Sequence, residues 1–108
     1  MATNQDLIAV DTLHKMIIRY MDSEHAPANG FGLRIGQTRY GQLAVVIIWN
    51  GFSSLPPTKR NTNFWRYIQM HLSQEYNSKL GSVWLMTPEE YNQSSDRLNE
   101  RVIWNVTT

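Results

Sequence analysis

The chain has 108 residues, 42% apolar and 18% charged, a balance that gives one globular domain over 1–108 and excludes wholesale disorder. No run approaches the roughly 18 apolar residues of a membrane helix, the start Met-Ala-Thr-Asn-Gln-Asp is polar and acidic where a secretory leader would be basic then apolar, and zero cysteines exclude disulfides, thiolate catalysis and cysteine-ligated metal. The net charge is only +1.

A cytoplasmic protein is therefore expected, and the glycosylation sequons at Asn92 and Asn105 are read as chance. The charge is unevenly spread: residues 1–28 hold Lys15 and Arg19 against four acids, 29–81 hold six bases against Glu75, and 82–108 hold two bases against four acids. No acidic side chain occurs from His25 through Gln74. A tract of that length predicts a basic face, although part of it is an apolar strand where no charge is expected.

Thr3-x-x-Asp6 has the spacing of a capping box, and Leu7, Val10, Leu13, Ile17, Tyr20 and Met21 then recur at helical period. A first helix is predicted over about 4–22, with Asp11, Lys15, Arg19 and Asp22 on its wet side. Pro27, Asn29 and Gly30 end it. Phe31 to Thr38 alternates as a half-exposed strand, and Arg39-Tyr40-Gly41 is short enough to turn it back as a hairpin. The glycines at 30, 32 and 36 lack the strand-before, helix-after context of a phosphate loop.

Gln42 to Trp49 is the longest apolar run. Leu43, Val45, Ile47 and Trp49 fall on one face of a strand and Ala44, Val46 and Ile48 on the other, so both faces must be covered. A long connection through Asn63 follows, stiffened by Pro56-Pro57, and connections of that length are more often binding loops than wiring. A second helix capped by Thr58, Asn61, Thr62 or Asn63 buries Phe64, Trp65, Ile68, Leu72 and Tyr76. Ser82 to Met86 is a third strand, expected parallel to the second. Thr87-Pro88-Glu89-Glu90 starts a helix that polar Asn92 to Asn99 limits to a turn or two, and Arg101 to Val106 closes the chain as a strand.

The expected fold is α+β, a two-layer sandwich of order α-β-β-α-β-(short α)-β with a four-stranded mixed sheet on two long helices. The same order fits a ferredoxin-like plait whose first strand has moved to the C-terminus. In that arrangement Val46, Ile48, Trp84 and Trp104 lie on an uncovered sheet face, too apolar to stay wet, and are expected to join two copies in a homodimer. Helices on opposite faces of a monomer are the alternative.

For chemistry, Lys59-Arg-Asn-Thr-Asn-Phe-Trp-Arg-Tyr67 is the leading segment. Cations at a helix start add to its amide donors and oppose its dipole, so Lys59, Arg60, Asn63 and Arg66, extended by Arg34 and Arg39, form a candidate anion or nucleic-acid site in which Phe64, Trp65 and Tyr67 stack bases. The plainer reading makes the aromatics core and the bases solubilising. Asp11 with His14 and His71 with Glu75 meet on helix surfaces, as ordinary pairs more often than as acid–base machinery. No two-histidine metal motif, nucleophile elbow or cofactor loop is present, and Glu89-Glu90 read as first-turn acids. The expectation is a non-enzymatic binding or regulatory module with no cofactor, metal or membrane contact, meeting a protein partner through the 50–66 segment. Its rival is a nucleic-acid-binding protein, a small nuclease among them, with His71 as its acid–base group.

Overall fold

The computed structural model describes the backbone of residues 4–27 and 30–107 and the side chains of 9–27, 30–98 and 102. In chain order the elements are α1 (Asn4–Ser23), β1 (Phe31–Thr38), β2 (Leu43–Trp49), a 3₁₀ turn (Asn50–Ser54), α2 (Pro57–His71), α3 (Gln74–Asn77), β3 (Leu80–Met86), α4 (Pro88–Arg101) and β4 (Val102–Thr107). The Thr3 cap lies outside the described residues. The class is α+β, and the mixed sheet runs β3-β2-β1-β4.

β1 and β2 form the antiparallel hairpin read from the sequence, closed at Gly41, whose φ of 80° is a backbone region that costs glycine nothing. β2 and β3 pair in parallel through α2. Because that crossover joins adjacent strands, it is not the split βαβ unit of a ferredoxin-like plait, and the permuted-plait topology does not hold. The long connection after β2 is also shorter than expected. Asn50–Ser54 coils as a 3₁₀ turn against Trp49, and α2 begins at Pro57, where a missing N–H and a preset φ suit a first helical turn.

β2 is buried on both faces over Leu43–Ile47. On one face Leu33, Ile35, Leu43, Val45, Ile47 and Leu85 join Leu13, Ile17 and Met21 of α1 and Phe64 and Ile68 of α2 in one core. The other face is covered from within the chain. α4 is 14 residues long, far more than a turn or two, and it crosses from one edge strand to the other while touching β2, β3 and β4. Val46 lies at 0% exposure, and Arg34, its lateral neighbour in register, donates through Nη1 to the Tyr91 hydroxyl of α4 at 2.7 Å. Helices thus lie on both faces, and among the described residues Val46, expected on an uncovered face that joins two copies, is covered from within the chain.

Candidate binding site at the β3 edge

The structure divides the basic residues proposed from the sequence. Lys59 and Arg66 are exposed and Asn63 is half-buried, spaced 59, 63 and 66 along one face of α2. Arg39 is exposed in the hairpin turn, and Arg34 lies on the opposite sheet face from α2, beneath α4. No continuous track joins them. The stacking aromatics are largely spent: Phe64 is buried with its ring edge-on to Tyr20 at 5.2 Å, and Trp65 and Tyr67 are half-buried.

Arg60 departs furthest from expectation. It is 4% exposed: its Nε donates to the Leu55 carbonyl at 2.9 Å, and its Nη1 donates to the Leu85 carbonyl at 3.0 Å and to Glu90 Oε1 at 2.6 Å. Glu90 closes the other half of the arrangement. The same Oε1 accepts from the Thr87 amide at 2.8 Å while the Thr87 hydroxyl accepts from the Glu90 amide, which is the capping box read from the sequence. The Arg60 hydrogen bond, with the Thr87 amide second, holds the Glu90 carboxyl below its ordinary pKa. Arg60 is thus a structural cation, and its charge is not free for phosphate.

This ion pair sits at the outer edge of β3, and hydrogen-bond alternation shows what it does there. The Thr38 amide bonds the Gln42 carbonyl and the Leu43 amide bonds the Lys79 carbonyl. In β2, then, Gln42, Ala44 and Val46 turn their backbone groups toward β1, and Leu43, Val45 and Ile47 toward β3. With Val45 opposite Val83 and Ile47 opposite Leu85, a parallel ladder spends the amides of Trp84 and Met86 on β2 and turns those of Val83 and Leu85 outward. A fifth parallel strand would donate to the Leu85 carbonyl and accept from the Thr87 amide. The Arg60 guanidinium and the Glu90 carboxylate make those two bonds, so a side-chain pair stands in for one residue of an absent strand. The N–H and C=O of Val83 and the N–H of Leu85 face outward beyond it.

Two depressions flank that open stretch. One of about 290 Å³ is lined by Pro57, Arg60 and Asn61 of α2, by Val83–Met86, and by Glu90, Gln93 and Ser94 of α4. The other, of about 410 Å³, is lined by Thr38, Arg39, Tyr40, Gln42, Ser82 and Trp84. Trp84 is half-buried and borders both. Of the expected interface residues, Val46 is sealed under α4, Ile48 is half-buried, Trp84 stands at this edge, and the Trp104 side chain lies outside the described residues.

The catalytic pairs do not assemble. Asp11 pairs with Lys15 at 3.1 Å, and His14 Nε2 is buried without a hydrogen-bond partner. His71 is exposed, its ring 4.3 Å from that of Tyr67. Among the described residues no three His, Asp or Glu gather as metal ligands, and no helix is long and apolar enough to cross a membrane. The edge site was missed in the sequence because it is made of backbone, and the one signal near it was the capping-box sequence that contains Glu90. Comparisons with protein families, with curated proteins and with solved structures return no match.

Proposed function

We propose that this protein is a non-enzymatic binding module that takes an extended polypeptide segment along the open part of β3. The observation that carries the reading is the outward-facing N–H and C=O of Val83, framed by two depressions and the half-buried Trp84. Strand addition draws its affinity from main-chain hydrogen bonds and its selectivity from pockets for alternate side chains, and both parts are present. A bound segment meets α2 side chains on one side of the sheet plane and Trp84 with α4 on the other.

Backbone amide exchange tests this. In the free protein the Val83 and Leu85 amides exchange fast and those of Trp84 and Met86 slowly, and binding of an extended peptide slows the first pair selectively. Slow exchange at Val83 in the free chain sinks the proposal. The nucleic-acid reading keeps one supporting observation, Lys59, Asn63 and Arg66 on a single face of α2. It requires oligonucleotide binding that weakens steeply with salt and is lost in Lys59→Glu.

A further inference from the structure

Strand β3 does not present the same surroundings along its length. At its start, the exposed Arg39 lines the 410 Å³ depression with Thr38, Tyr40, Gln42, Ser82 and Trp84, and no acidic side chain lines it. Lys79 immediately precedes the strand. At its far end Arg60 is neutralised by Glu90, and Glu89 is exposed one residue away. The field along the edge therefore runs from positive at Gly81 to neutral or negative at Thr87.

Resting on the docking-strand reading above, we infer that the bound segment is acidic where it lies beside Gly81, sets an apolar or aromatic side chain on Trp84, and stops at Leu85. The stop is physical, because the Arg60–Glu90 pair fills the next rung. The anchor follows from Trp84 bordering both depressions, which places an indole under whichever residue bridges them. The acidic end follows from Arg39 and the exposed Tyr40, whose hydroxyl adds a hydrogen-bonding group.

Two other occupants fit less well. A phosphodiester backbone offers acceptors but no donor for the Val83 carbonyl, whereas a polypeptide alternates the two. A second copy related by a two-fold axis through Val83 sets Gly81 of each chain against the plugged Leu85 of the other, which leaves one complete rung.

The test is selection of random heptapeptides displayed against the full-length chain, followed by fluorescence anisotropy on the enriched sequences. Net-negative peptides with one large apolar residue are expected. Their affinity falls about tenfold in Val83→Pro, which removes the outward N–H without touching the ladder to β2, and severalfold in Arg39→Glu. The same peptides N-methylated at alternate amides bind in one phase and not in the other, a readout that leaves the protein unaltered. Enriched peptides that are neutral or basic yet sensitive to Val83→Pro overturn the acidic assignment and leave the docking strand standing. Binding indifferent to both Val83→Pro and N-methylation, or no enrichment, overturns the two together. Displacement of the peptides by a single-stranded ten-residue oligothymidylate, or a dimeric mass in solution that Val83→Pro reduces to that of a monomer, replaces the proposed occupant with nucleic acid or a second copy.

Discussion

Replacing Arg60 with methionine is the most informative single change, because the two accounts of this residue give opposite results. If Arg60 served an external anion, Arg60→Met would abolish binding and leave stability unchanged or slightly improved, since a cation in the first turn opposes the helix dipole. In the structure its guanidinium is enclosed, and methionine keeps the aliphatic stem while deleting hydrogen bonds to Leu55, Leu85 and Glu90. Hydrogen bonds from a charged donor contribute about 1.5–3 kcal/mol each. Full additivity is not expected, because the Glu90 side chain is 40% exposed and turns to water once freed. The Leu85 carbonyl has less access to water and bears most of the cost. A net loss of about 2–4 kcal/mol follows, a large part of the roughly 5–15 kcal/mol that holds such domains folded. For a chain of this size that lowers Tm by about 10–20 °C. Urea titration followed by circular dichroism measures it, with Lys59→Met, exposed on the same first turn, as the control that stays within about 0.5 kcal/mol. An Arg60→Met protein as stable as that control would refute the ion-pair plug and return Arg60 to the list of free cations.

Three further outcomes follow from the same contacts. The Glu90 carboxyl is held below its ordinary pKa, so its contribution is fully present above about pH 4.3 and is lost as pH falls through the lower folded-state value; the gap in urea midpoint between the wild type and Glu90→Gln should close on going from pH 6 to pH 2, and a constant gap contradicts it. Val46→Asp places a carboxylate under α4 and should unfold the chain at a cost above about 3 kcal/mol, whereas a folded, monomeric Val46→Asp would mean that this face is open. His14→Met removes a buried ring nitrogen that has no partner and keeps an apolar filler, so stability should rise by about 1 kcal/mol in the same titration.

How far the sequence discloses this molecule depends on which part of the chain carries the information. The doubly apolar Leu43–Trp49 run states outright that the sheet is covered twice, and Thr87-Pro88-Glu89-Glu90 marks the start of α4 through a capping box present in the structure. The length of α4 was hidden because two of the four residues on its inward side, Ser94 and Ser95 between Tyr91 and Leu98, are small and polar, so its apolar stripe is broken in the middle. Their 91, 94, 95, 98 spacing was the available signal, and a hydrophobicity reading discards serines. Arg60 was misleading for a related reason. Propensity and charge treat a cation near a helix start as a surface residue, and only tertiary structure brings a carboxylate 30 positions away to within 2.6 Å.

Covering both faces of the sheet changes where recognition can take place. Side chains on α1, α2 and α4 that touch the sheet are spent on the fold, so a partner meets either the outer helix surfaces or a strand edge. An open edge invites uncontrolled pairing, and proteins commonly close it with charges, bulges or covering segments. Here closure is partial and placed: the ion pair fills the rung at Leu85 and Thr87, while Val83, two residues upstream in the same strand, keeps its outward groups beside a half-buried indole. A plug that served only to prevent aggregation would do more at the middle of the strand than near its end. Moving the closure is therefore a direct test of its purpose. Ser82→Glu adds an edge charge on the Trp84 side without changing the Arg60–Glu90 pair, and it should weaken capture of an acidic extended peptide through like-charge repulsion while leaving stability within about 0.5 kcal/mol of wild type. If capture of the acidic peptides is undiminished in Ser82→Glu, the segment does not run past Trp84 toward Gly81, and the placement assigned to it along the docking edge is wrong.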